Sequence, residues 1–264
     1  MNRGGGRLER VGQLLRTRPE LVLSPALFVG LLVAWQVIVE ARLISRILLP
    51  SPATVADAFV SIVTAPWFPQ HLIATAIETS VGFVAGSSGA IALAALLHHL
   101  PLVRRVLYPY VLTFQLTPSI VLAPIFIIFF GLGLESKVVV SLTTSFFVVL
   151  ITSMTGFDSV DEDAQALMRS LSAGRLQIFR MLTFPAALPY VFTGLKTATA
   201  LALIGALVGE FITAQVGLGM LLTQFTFNLR QDYVFATVIV VVLLGLVLFG
   251  AVELLARRLV WWRF

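Results

Sequence analysis

The sequence contains no cysteine, which excludes disulfides and thiolate metal sites together. It has three histidines, His71, His98 and His99. The last two are adjacent, so on a helix their rings point different ways, and a shared metal ion is not expected. No G-x-x-x-x-G-K-[ST] loop is present, so the chain cannot cradle a nucleotide phosphate by itself. The Gly131/Gly133 and Gly217/Gly219 pairs lack the rest of a dinucleotide fingerprint and read as turns. No Ser/His/Asp arrangement is suggested, and the chain is not expected to be an enzyme. Charge is scarce as well: 12% of the 264 residues are Asp, Glu, Lys or Arg, about half the roughly 25% of soluble domains.

What fills the chain is apolar. Hydrophobic residues make up 58% and mean hydropathy is +0.98, as expected of a polytopic helical membrane protein. Six runs are long enough to cross a bilayer, at about 21–39, 72–97, 106–130, 138–157, 187–212 and 234–256. The fold expected is therefore an all-α membrane protein with six transmembrane helices, preceded by a tail over residues 1–20. That tail is rich in Arg and Gly and carries no signal-peptide cleavage pattern. A short interfacial helix is expected near Thr54–Val63, between prolines at 50, 52, 66 and 69. The second run holds Gly82, Gly86 and Gly89, small residues that let helices approach closely. The third is interrupted by Pro109, Pro118 and Pro124.

Six spans put both termini on one side, and the cationic residues indicate which. With the termini inside, the inner segments carry Arg3, Arg7, Arg10, Arg16, Arg18, Arg104, Arg105, Arg169, Arg175, Arg180, Arg257, Arg258 and Arg263. The outer segments carry only Arg42, Arg46, Lys137 and Arg230, and Lys196 lies within a span. Thirteen against four predicts cytoplasmic termini. The same asymmetry accounts for the net charge of +5 without nucleic acid as a partner.

Between the fourth and fifth runs lies the one long polar stretch of the second half, about 158–185. Asp161, Glu162 and Asp163 with Arg169, Arg175 and Arg180 cannot sit in hydrocarbon, so this segment belongs in water or on a partner protein. Leu167, Leu171, Leu176, Phe179 and Leu182 recur at helical spacing, with Gly174 as the break between two short helices. The prediction is a cytoplasmic helical hairpin whose apolar stripe, Leu176, Phe179 and Leu182, needs a partner.

This stretch resembles the cytoplasmic coupling loop of ABC importer permeases, the binding-protein-dependent transport family. That loop carries an E-A-A-x3-G-x9-I-x-L-P pattern. Aligned on Pro185, the E-A-A positions fall on Ala166, Leu167 and Met168, and the glycine position falls on Ser172. The consensus glutamate, alanines and glycine are missing, while the spacing survives. Leu49-Pro50-Ser51-Pro52, Phe130-Gly131-Leu132-Gly133, Ser136-Lys137, Gly194-Leu195-Lys196, Gly209-Glu210 and Gly217-Leu218-Gly219 resemble the nitrate/sulfonate/taurine-type branch, and also members for thiamine-precursor or riboflavin uptake. The resemblance spans about residues 30 to 264.

It implies the permease domain over 21–264 of an importer in a bacterial inner membrane, moving a small organic solute such as a sulfonate-like anion or a pyrimidine- or riboflavin-like vitamin precursor. It implies a homodimer, a cytoplasmic ATPase dimer holding ATP and magnesium, and an extracytoplasmic solute-binding protein. The residues it points to for ATPase coupling are Arg169, Leu171, Ser172, Ala173, Gly174, Arg175, Leu176, Gln177, Phe179 and Leu182. For the pathway or a gate, the residues at issue are the intramembrane acids Glu78 and Glu210 and the polar set Gln115, Thr117 and Ser119 around Pro118, since a proline-broken polar stretch at membrane depth lines a cavity. A stand-alone secondary transporter or channel is the alternative; it would need midplane coupling-ion residues and usually an inverted repeat, and no repeat is found. A structural membrane anchor would not explain proline-broken polar spans.

Overall fold

The computed structural model describes residues 20–45, 47–213 and 215–260. The N-terminal tail up to residue 19, Arg46 and Arg263 lie outside the described residues. Among the described residues all regular structure is helical: α1 (Glu20–Glu40), α2 (Pro52–Val63), α3 (Phe68–His99), α4 (Pro101–Leu116), α5 (Ser119–Phe130), α6 (Leu134–Asp158), α7 (Glu162–Ser170), α8 (Arg175–Ile178), a π-helical turn (Phe179–Thr183), α9 (Phe184–Thr213), α10 (Leu218–Phe227) and α11 (Gln231–Leu259). Among the described residues, five apolar helical runs are long enough to cross a membrane, with Arg175–Ile212 taken as one run.

The third expected span, 106–130, is not one helix. It is the pair α4 and α5, bent by 100°, and it makes a sixth crossing if the two are counted together. The cause is local. Pro118 has no amide hydrogen to donate, and its ring disfavours helical geometry at the preceding residue. Thr117 accordingly sits at φ −74°, ψ 120° and Pro118 at φ −61°, ψ 127°. Pro109 and Pro124 stay inside their helices.

Among the described residues the chain forms two compact units, 20–64 with Phe225–Ala236, and Ala65–Gln224 with 237–260. In the first, the Trp35 indole N–H donates to the Pro50 carbonyl at 3.0 Å, and its ring lies 5.7 Å from that of Phe235. Ser51 caps α2 by accepting the Thr54 amide at 3.2 Å, with Pro52 at the first helical position. Val55, Ala58 and Ile62 form the buried face of α2.

The second unit is built on α6, which packs between α3 and α9. Lipid tails are as apolar as leucine, so helices in a membrane are held by close packing between small residues. A Cβ on Gly82 would lie 2.5 Å from the Ser141 side chain, and one on Gly205 would lie 2.9 Å from the Ser141 Cα. These contacts fix the spacing of α3, α6 and α9. Toward the hairpin end the core becomes apolar, with Leu97, Val149, Leu150, Met154, Phe157 and Ala187 all buried. Val252 and Ala256 on α11, and Val260 just past its end, pack with Phe192. Lys196 and Arg257 both pair with Glu253, Arg257 at 2.8 Å, so the intramembrane lysine has a carboxylate partner.

Candidate functional site

Three places bring the polar residues together, all within the second unit. The first lies where α3, α6 and α9 meet the start of α10. His71, Thr75 and Glu78 stand at i, i+4 and i+7 of α3 and share one face. Glu78 is 1% exposed and Glu210 is 2% exposed. The amide of Gly217 donates to His71 Nδ1 at 3.0 Å, that of Leu218 to Thr75 Oγ1 at 2.8 Å, and that of Gly219 to Glu210 Oε2 at 2.5 Å. Three successive amides at the head of α10, which have no intrahelical acceptor, are each satisfied by a side chain from α3 or α9. Thr75 in turn donates to Glu210 Oε1 at 2.6 Å. His71 Nδ1 also lies 3.2 Å from the Gly217 carbonyl oxygen, so this one nitrogen meets both polar groups of the Gly217 backbone.

The glycines here are shaped around the acid. Gly217 has φ +140°, and a Cβ on it would run into the Glu210 carboxyl. A Cβ on Gly219 would lie 2.8 Å from the Glu210 Cβ. Lys137 Nζ sits 3.2 Å from Glu78 Oε1, and the Glu78 carboxyl lies beside that of Glu210. His71, Thr75 and Glu210 thus form a buried clamp that holds α10 on α3 and α9, with the Glu78–Lys137 pair beside it. Lys137, expected in an outer turn, is 6% exposed on α6. His71, Thr75 and Lys137 were missed in the sequence; the polar i, i+4, i+7 spacing in an apolar run was the available signal for the first two.

The second place is a cavity of about 370 Å³ at the α4–α5 break. Gln115 and Thr117 are in its wall, with Phe114, Thr143, Thr144 and Phe147. Ser119 begins α5, and its side chain lies outside the described set. The rings of Phe114 and Phe147 are parallel, 4° apart with centroids at 5.9 Å. Thr143, Thr144 and Phe147 sit on α6 and carried no sequence signal that separated them from packing residues.

The third place is the hairpin. The three acids form its first turn: Asp161 caps α7 by accepting the Asp163 amide at 3.0 Å, and Glu162 and Asp163 face the positive helix end. α7 ends in a left-handed residue that is Ser172 at φ +60°, not Gly174. The Ser172 and Ala173 amides donate back to the Arg169 and Met168 carbonyls, each at 3.0 Å, closing a Schellman turn. Gly174 is ordinary extended backbone at φ −71°, ψ 160° with open space around it.

The expected stripe of Leu176, Phe179 and Leu182 does not stay on one outward face. The segment winds as a single α turn and then a π turn, which shifts the register. Phe179 points inward, with ring contacts to His98, His99, Phe157 and Phe184 at 5.0–6.0 Å. Leu182 is half-buried. Leu167, Leu171 and Leu176 are the exposed set, at 62, 70 and 55%. Arg175 and Gln177 are exposed, and Ala173 is half-buried. Arg169 and Arg175 line a cavity of about 430 Å³ with His98 and His99. Among the described residues no group of three or more His, Asp or Glu could hold a metal ion.

The chain is similar to known proteins in sequence and in fold. Residues 82–261 match the family described as binding-protein-dependent transport system inner membrane component. The chain is 34% identical to the formylaminopyrimidine transport permease protein ThiX of Halalkalibacterium halodurans, over 91% of this chain and 96% of that protein. It is 33% identical to the riboflavin transport system permease protein RibX of Chloroflexus aurantiacus (96% and 94% covered). It is 27% identical to the taurine transport system permease protein TauC of Escherichia coli (92% and 90%). In fold it is similar to a chain of the MetNI methionine ABC transporter, with a TM-score of 0.66 at 17% identity, over 73% of this chain and 96% of that one. The chain belongs to the binding-protein-dependent transport system inner membrane component family, and is an ABC transporter permease subunit.

Proposed function

We propose that the chain is one half of the membrane pathway of an importer, paired with a second copy of itself and driven from the cytoplasm by a separate ATPase dimer that holds ATP and magnesium. An extracytoplasmic solute-binding protein delivers a small organic solute to its outer side, and both termini and the hairpin face the cytoplasm. The observation that carries this reading is the hairpin: a charged segment that cannot enter hydrocarbon leaves Leu167, Leu171 and Leu176 exposed. Fully burying a leucine in a partner groove is worth roughly 1.5–3 kcal/mol, so two such anchors hold or release a complex of moderate affinity. Relatives named for formylaminopyrimidine, riboflavin and taurine transport support a small organic cargo. The excess of arginine on the proposed inner segments supports the orientation.

The chain has no cysteine of its own, so single reporters test the orientation cleanly. Ser172→Cys is expected to resist a membrane-impermeant thiol reagent on intact cells and to react after permeabilisation, while Thr54→Cys reacts on intact cells. Labelling of Ser172→Cys but not Thr54→Cys on intact cells would overturn the orientation and with it the cytoplasmic ATPase.

A further inference from the structure

The wall of the cavity at the α4–α5 break has a composition that selects its occupant. Among the described residues, not one Lys, Arg, His, Asp or Glu lines it. Three of its hydroxyls already donate to their own helices: Thr117 to the Thr113 carbonyl at 3.1 Å, Thr143 to Val139 at 2.8 Å and Thr144 to Ser141 at 2.9 Å. What these threonines offer the cavity is therefore oxygen lone pairs. The Gln115 amide is the exception. It makes no hydrogen bond among the described residues, is exposed to the cavity, and carries both donors and an acceptor.

The backbone adds no net charge. The break sets the C-terminus of α4 and the N-terminus of α5 side by side, so their half-charges of opposite sign offset. An anion entering this wall would lose its hydration and meet acceptor oxygens in return. An uncharged planar nitrogen ring meets the wall differently. Its N–H or amino groups match the threonine oxygens, its mixed edge matches the Gln115 amide, and its faces match the Phe114 and Phe147 rings, which stand parallel. At about 370 Å³ the space lies at the small end of ligand sites, which run to roughly 300–1,000 Å³.

We infer that this cavity takes an uncharged nitrogen-ring solute bearing edge N–H donors, and that Gln115 is the residue that tells such a ring from an anion. The inference rests on the importer reading, since it assigns the cavity to the transported solute.

The test uses the full-length permease purified with its bound ATPase in nanodiscs, with Leu116→Cys as a reporter thiol in the cavity wall. Labelling by uncharged N-ethylmaleimide is followed in the presence of cytosine, lumichrome, methanesulfonate or nitrate. The expected result is that at least one of the two rings slows labelling and neither anion does. Adding Gln115→Ala raises the half-protecting ring concentration about tenfold, the loss of one neutral hydrogen bond. Adding Gln115→Arg makes methanesulfonate protective. Protection by either anion with Gln115 in place, no protection by either ring, or indifference to Gln115→Ala would overturn the inference. The ATPase in the same preparation is scored separately. Its absence counts against the importer reading and leaves the ring result standing, so the two failures are told apart.

Discussion

The carboxylate of Glu210 accepts the backbone amide of Gly219 at 2.5 Å, nine positions further along the chain, while its other oxygen accepts the Thr75 hydroxyl at 2.6 Å. One acid thereby ties the end of α9 to the head of α10 and to α3. The Gly209-Glu210 and Gly217-Leu218-Gly219 segments act as one device: the acid caps, and the glycines leave room for it.

Glu210→Ala is therefore expected to lower the melting temperature of the detergent-solubilised protein. A buried donor left without an acceptor costs about 1–3 kcal/mol, and the Gly219 amide is such a donor. Gly217→Ala should act in the same direction, because its Cβ would displace the same carboxyl from a backbone at φ +140°. A wild-type melting curve for both variants would show that the clamp does not hold α10.

Lys137 and Glu78 form a pair that is 8 and 2% exposed at the side chain. Breaking a buried pair from one side leaves an uncompensated charge, at about 3–5 kcal/mol. Lys137→Met alone should thus reduce the yield of folded protein sharply, and the double variant Lys137→Met with Glu78→Gln should recover most of it. Size-exclusion profiles and melting curves read this directly. Equal loss in the single and double variants would mean that Lys137 acts through packing alone.

Ser172 holds a left-handed backbone at φ +60°, which costs a residue with a Cβ roughly 1–2 kcal/mol. Ser172→Gly should relieve part of that, by about 0.5–1 kcal/mol, and slow hydrogen exchange at the amides of residues 172 and 173. Gly174→Ala should be neutral, since that position is extended and open. Faster exchange in Ser172→Gly would place the strain elsewhere.

The spans were legible because an apolar run of 20 residues has few alternatives in a lipid-facing protein. The polar stretch over 158–185 was legible as a break between apolar runs because its charges cannot be buried in hydrocarbon. The missed features have physical causes. A proline inside a hydrophobic run can kink, break or leave a helix intact; here Pro118 bends the path by 100° while Pro109 and Pro124 remain helical. Only the surrounding packing separates these cases. Phe179 was placed on an outward stripe by a spacing of 3.6, and the π turn over Phe179–Thr183 altered that register and turned the ring toward His98 and His99. Glu210 was legible as an intramembrane acid, but its partners, the Gly219 amide and the Thr75 hydroxyl, were not, because they come from segments distant in the chain.

The central claim is that the hairpin transmits ATP hydrolysis through its exposed leucines, and co-purification of the ATPase with permease variants tests it most directly. Leu171→Glu and Leu176→Glu replace side chains that are 70 and 55% exposed, so the permease should remain folded and monodisperse while the ATPase is lost. Phe179→Ala, which removes a ring packed inside the chain, should instead destabilise the permease by about 3–5 kcal/mol. Retention of the ATPase at wild-type levels by both leucine variants would contradict the account.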